Sequence, residues 1–215
     1  MSKYNPAIHN RRSIRLKGYD YAQEGLYFIT LCCRDRECIF GTIVNGEMIL
    51  NEFGKIAENE WLNTPVVRKN IALHAYVIMP NHIHGIIEIL ENVKEDSKEN
   101  IGQFKSPSQT VGAIVRGYKI ATIRKIKDYI HKNYGDKGSI NRGISWGELQ
   151  FTPTYSPKAP TYAPKDATKT IVHLDFKIWQ RNYFERIIWS HKAYQNIVKY
   201  IHENPKNWNE DQLNA

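Results

Sequence analysis

The stretch that decides the fold is "IALHAYVIMPNHIHGIIEIL", Ile71 to Leu90. It contains two apolar runs, broken once at Pro80-Asn81. Proline cannot donate to a strand ladder and asparagine favours turns, so the first run ends there and the second returns antiparallel beside it. Successive side chains on a strand point to opposite faces, so His82 and His84 share one face, about 7 Å apart along the strand, and Ile83 points to the other. Two readings are open for such a pair. The imidazoles are ordinary strand residues satisfied by hydrogen bonds, or they converge on one divalent ion. Histidine ligands alone do not select the metal, so the pair needs partners.

Upstream, "LYFITLCC", Leu26 to Cys33, is β-branched and aromatic and reads as a buried strand. "IFGTIVNGEMIL" follows, with two apolar runs around Asn45-Gly46, a strong short hairpin signal. In "NEFGKIAENEWLNT", Phe53, Ile56, Ala57 and Trp61 recur at helical spacing, and Asn51 suits the N-cap.

Downstream, "TVGAIVRGYKIATIRKIKDYI" predicts a long helix over 110–130, with Val111, Ile114, Val115, Tyr118 and Ile126 on its apolar side. Residues 131–175 are rich in Pro, Thr, Gly and Ser and read as an insertion or flexible flap. "DFKIWQRNYFERIIW", 175–189, has strand composition. "SHKAYQNIVKYIHENP" predicts a final helix, capped by Ser190 and ending just before Pro205.

With the hairpin and the insertion set aside, the order is βαββαβ plus a last helix. That predicts an α+β, ferredoxin-like domain: an antiparallel sheet with helices on one face and an added C-terminal helix. The 215 residues suit one domain, with a basic arm at 1–18. No apolar run approaches a membrane span, and the N-terminus has no signal-peptide core, so a cytoplasmic protein is expected. Cys32, Cys33 and Cys38 are too few and too clustered for a disulfide framework, and the first two read as small core residues. Thirty Lys and Arg against 22 acids give a net charge of +8, which favours a polyanionic partner such as nucleic acid.

The last helix offers partners for the histidines. Its apolar stripe is Tyr194, Ile197, Val198 and Ile201. Tyr200 and Asn204 are four apart, so they share a face, and both border that stripe on the same side. They are either a surface tyrosine and a helix-ending asparagine, or a hydroxyl and an amide oxygen turned towards the sheet. No carboxylate base is evident near Tyr200; Glu203 is on the same helix but turned from it.

"YVIMPNHIHGII" followed by "YQNIVKYIHENP" resembles the single-tyrosine HUH transposases, where U is a hydrophobic residue. "RRSIRLKGYDY", "YFITLCC" and "IWQRNYFERII" resemble the REP-associated tyrosine transposases within that group. The resemblance covers about residues 10–130 and 176–208. It implies that His82 and His84 are metal ligands, Tyr200 is the nucleophile, and Asn204 is a third ligand. It implies Mg²⁺ or Mn²⁺ and cleavage of single-stranded DNA at a hairpin, through a 5′-phosphotyrosine, by a monomer or homodimer.

Candidate DNA contacts are the arm residues Arg11, Arg12 and Arg15, then Arg116 and Lys119 on the basic side of the long helix, and Arg181 and Arg186 before the last helix. Arg124, Lys125 and Lys127 add to that basic side. Trp179 and Tyr183 either stack on bases or belong to the core. Two other functions fit the same sequence: a nucleic-acid-binding module without chemistry, and a metal-dependent hydrolase without a covalent intermediate.

Overall fold

The computed structural model describes residues 19–90, 110–134 and 167–214. Strand β1 (Gly25–Cys32) leads into a hairpin of β2 (Gly41–Val44) and β3 (Glu47–Leu50). Helix α1 (Glu52–Leu62) and the single turn α2 (Thr64–Val67) follow, then β4 (Ile71–Ile78) and β5 (His82–Ile89). The long helix α3 (Val111–Tyr134), a short helix α4 (Ala167–His173), β6 (Phe184–Ile188) and α5 (His191–Glu203) complete the order.

The main sheet runs β4-β5-β1-β6, all antiparallel. The chain thus leaves β1, passes through α1 to the edge strand β4, returns as β5 between them, and crosses through α3 to the opposite edge. With the β2–β3 hairpin removed, this is the ferredoxin-like arrangement that the element order predicts.

Local chemistry sets the elements. Asn45 and Gly46 both have positive φ, 54° and 78°, as a two-residue primed hairpin turn needs. Asn51 accepts from the Gly54 amide at 2.9 Å and caps α1. Ser190 caps α5 by accepting from the Ala193 amide at 3.2 Å. The β4–β5 turn closes with the Met79 amide donating to the His82 carbonyl at 2.8 Å.

The sheet has two differently covered faces. Tyr27, Ile29 and Leu31 of β1 join Ile83, Ile87 and Ile89 of β5 under α1 and α3, forming the large core. Gly85 belongs to that face. A methyl group there would lie 2.3 Å from the Trp61 ring, so only glycine lets α1 seat this closely. The opposite face carries Phe28, Ile86 and Ile188, packed on Ile201 of α5. His82 and His84 lie on this second face, beneath α5.

Two boundaries differ from expectation. Strand pairing on the last strand begins only at Phe184; before it, Trp179 makes a single bridge to Cys33, and Asp175 and Phe176 bend the chain with positive φ. The two ends of the expected insertion are helical, since α3 continues to Tyr134 and α4 occupies Ala167–His173. The arm at 1–18 and the rest of the insertion lie outside the described residues.

Candidate active site

His82 and His84 are fully buried on β5, their rings 4.5 Å apart. Each has its Nδ1 engaged by a neighbour. His82 Nδ1 meets Asn81 Oδ1 at 2.8 Å, and His84 Nδ1 meets the Thr30 hydroxyl at 2.8 Å. The Asn81 amide nitrogen donates to the Arg36 and Leu213 carbonyls at 3.1 and 2.7 Å. Those two bonds orient the amide, so its oxygen accepts from His82 Nδ1–H, which leaves a lone pair on Nε2. Thr30 can do the same for His84. Burial holds His82 down to about 4, only partly opposed by the charge of Asp211 and by Asn204. Burial, with His82 beside it, pushes His84 well below the usual imidazole value. Both rings are neutral at neutral pH, the state in which imidazole binds a metal.

Helix α5 lays Tyr200 over this wall. The phenol oxygen lies 3.1 Å from His84 Nε2, and the ring stands edge-on to Phe28 and His84. Tyr200 is 45% exposed and lines an open cleft. Desolvation raises its pKa, the negative charge of Asp211 raises it further, and Asn204 opposes them. Asn204, one turn on, is buried beside both His82 and Tyr200, yet its Oδ1 has no hydrogen-bond partner. This cleft, of about 670 Å³, opens over His84, Tyr200 and Asn204, bounded by Thr30, Cys32, Phe184 and Asp211 among others.

Asp211 is the residue that sequence reasoning missed. It follows a 3-10 turn (Trp208–Glu210), and its Oδ2 lies 3.8 Å from His82 Nε2. Both atoms are buried and lack a hydrogen-bond partner. Ligand atoms of His82, His84 and Asp211 all fall within 4.8 Å of one another. Two neutral imidazoles, a carboxylate and an unpartnered amide oxygen form a mixed nitrogen and oxygen set that fits a divalent cation. No sequence signal marks Asp211, because an acid in a polar tail looks like any solvated acid. Asn81 is inside the quoted motif, but there it reads only as a turn residue.

The other expected contacts scatter. Arg186 pairs opposite Phe28 in the sheet, so it projects on the face that carries Tyr200. Arg181 is exposed beside a second cleft. Arg116 is exposed on α3, on the other side of the sheet, as are Arg124, Lys125 and Lys127. Lys119 turns inward, donating to the Gln180 and Asn182 carbonyls at 2.8 and 3.2 Å. Trp179 packs on Phe40 and Tyr118 and belongs to the large core, whereas Tyr183 is only partly buried against its edge. Cys33 is buried as expected, whereas Cys32 faces the Tyr200 cleft. Arg11, Arg12 and Arg15 lie outside the described residues. Among the described residues no helix is long and apolar enough to cross a membrane.

No family model matches the chain. Its fold is similar to that of the REP-associated tyrosine transposase bound to a REP hairpin, with a TM-score of 0.47 and 15% identity over 97% of this chain and 74% of that one. A Haemophilus influenzae protein, itself uncharacterized, is 38% identical over 220 residues, 99% of this chain and 97% of its own. With that identity along nearly the whole of both chains, the protein belongs to the same family as its Haemophilus influenzae relative.

Proposed function

We propose that the protein is a metal-dependent transposase or endonuclease that cuts and rejoins hairpin-bearing single-stranded DNA through Tyr200. The observation that carries this reading is the meeting of Tyr200, on the last helix, with His84 at 3.1 Å, in one cleft with Asn204 and Asp211, whose Oδ1 and Oδ2 are unpartnered, and with the buried, unpartnered His82 Nε2 3.8 Å from Asp211 Oδ2. A tyrosine in reach of solvent above two neutral imidazoles suits a nucleophile better than a packing residue.

His82 and His84, with Asp211 and Asn204, would hold Mg²⁺ or Mn²⁺. When bound, the cation supplies charge neutralisation and polarises a phosphoryl oxygen. The protein's own groups supply the rest. Asn81 and Thr30 keep the imidazole lone pairs on Nε2, towards Asp211 for His82 and Tyr200 for His84. Helix α5 holds the phenol at the rim. The Tyr200 phenol gives up its proton as its oxygen attacks phosphorus, the bond from phosphorus to the 3′ oxygen breaks, and the leaving oxygen takes up one proton to become a 3′-OH, so no net proton is gained or lost. The 5′ phosphate stays on Tyr200 as a diester. Attack by another 3′-OH reverses the step and rejoins DNA without an external energy source. The preference for hairpin-bearing strands comes from the resemblance of the sequence motifs.

The test is a denaturing gel of protein incubated with Mn²⁺ and labelled hairpin-bearing single strands. A covalent protein–DNA band is expected, and it should vanish in Tyr200→Phe. Cleavage that survives Tyr200→Phe would instead identify a hydrolase acting without a covalent intermediate. Binding without cleavage under any of these conditions would identify a binding module.

A further inference from the structure

A second cleft, of about 690 Å³, opens where the chain leaves β1. Arg34, Arg36, Lys177 and Arg181 line it, and Asp35 is the one carboxylate among the described residues of its wall. All four cationic residues are exposed. Asp35 lies 3.4 Å from Arg34, and Lys177 meets Asp175 at 3.0 Å, exposed pairs that leave most of the charge available to a ligand. Arg181 has no partner among the described residues.

The cleft is built, not incidental. The Arg34 amide donates to the Ile178 carbonyl at 2.8 Å, the Gln180 amide to the Cys32 carbonyl at 2.9 Å, and Cys33 bridges to Trp179. These backbone bonds clamp the two cation-bearing segments side by side. Asp35 and Arg36 take successive positive φ values of 53° and 57°. Two non-glycine residues in that region are strained, and strain of this kind persists where the surroundings fix it, often at functional sites. Gathering four cations also costs repulsion, which a bound polyanion would offset.

The cleft adjoins the tyrosine site. Cys32 lines the Tyr200 cleft and its carbonyl is bonded to Gln180 of the second cleft. Arg36 donates to the carbonyl of Gln212, another wall of the Tyr200 cleft, at 2.9 Å. We propose that the Arg34–Lys177–Arg181 cleft grips the sugar–phosphate backbone of the unpaired strand next to the scissile linkage, and so sets where Tyr200 cuts. The assignment rests on the reading of the protein as a single-strand DNA nuclease.

The test uses binding alone, in full-length Tyr200→Phe protein, with fluorescence anisotropy on a hairpin-bearing strand across a salt series. Replacing Arg34, Lys177 and Arg181 together with glutamine should flatten the plot of log affinity against log salt by about two to three, roughly one for each phosphate that is no longer neutralised. Arg36 is left in place because it holds Gln212. The triple lysine-or-arginine exchange (R34K, K177R, R181K) keeps the charge and should keep the slope, which separates a change of charge from a failure to fold. A neutral methylphosphonate is then walked through the DNA, one linkage at a time. In protein with an intact cleft, linkages in the single-stranded flank should weaken binding, and the glutamine triple variant should be indifferent to those same linkages. An unchanged slope would overturn the proposal. So would sensitivity confined to the hairpin stem, or flank sensitivity that persists in the triple variant. Failure of the wild-type protein to form an adduct while this pattern holds would overturn the chemistry and leave the cleft standing. Failure to bind single-stranded DNA at all would overturn both.

Discussion

His82 depends on Asn81 for more than a turn. The Asn81 amide spends both hydrogens on the carbonyls of Arg36 and Leu213, so its oxygen has one orientation, towards His82 Nδ1. Removing it frees the imidazole to rotate or change tautomer. Asn81→Ala should weaken Mn²⁺ binding by about 10- to 100-fold, the usual effect of losing an outer hydrogen bond to a metal-binding histidine. Calorimetric titration checks this without turnover. Asp211→Asn should also weaken Mn²⁺ binding, whereas Glu203→Gln, on an exposed side chain paired to Lys199 at 3.9 Å, should leave it unchanged. Equal affinities for the two variants would remove Asp211 from the site.

At the scale of elements, β5 serves two masters on alternate residues. His82, His84 and Ile86 face α5; Ile83, Gly85 and Ile87 face α1 and α3. Gly85→Ala forces a methyl against the Trp61 ring and should cost about 1–3 kcal/mol, as overpacking a tight core does. Chemical denaturation measures it, and a fully neutral substitution would show that Trp61 yields. Ordinary local signals made much of this legible beforehand. Alternation put both histidines on one face, Asn45-Gly46 announced a hairpin, and Asn51 and Ser190 announced their helices. Each of these depends on residues within a turn or two. Asp211, the core position of Trp179 and the late start of β6 depend on contacts between distant segments, which local pattern does not encode. The inward turn of Lys119 is of the same kind: on a helix wheel it is another basic residue, and only the neighbouring carbonyls of Gln180 and Asn182 reveal its role.

Across the whole molecule, two buried neutral histidines make the metal-free fold sensitive to acid. The folded value for His82 is lowered from 6.5 to about 4, and that for His84 is lowered too. The unfolded chain therefore binds protons first as pH falls. Stability is fully present above about pH 6.5 and declines as pH drops towards 4. Thermal melts across that window should show the fall, and replacing both histidines with glutamine should flatten it. Added Mn²⁺ should raise the melting temperature at neutral pH, by about 2.7 kcal/mol of stability at a hundredfold excess over its dissociation constant. His82→Ala should abolish that gain.

The connection from β6 to α5 has a consequence for heredity of activity in mixtures. β6 ends at Ile188 and α5 begins at His191, so only Trp189 and Ser190 join them. In the single chain α5 packs on the sheet to which β6 belongs, with Tyr200 3.1 Å from His84. Two crippled proteins, one His82→Ala and the other Tyr200→Phe, should therefore fail to rescue each other when combined. Recovery of adduct in the mixture would mean that the helix is shared between partners.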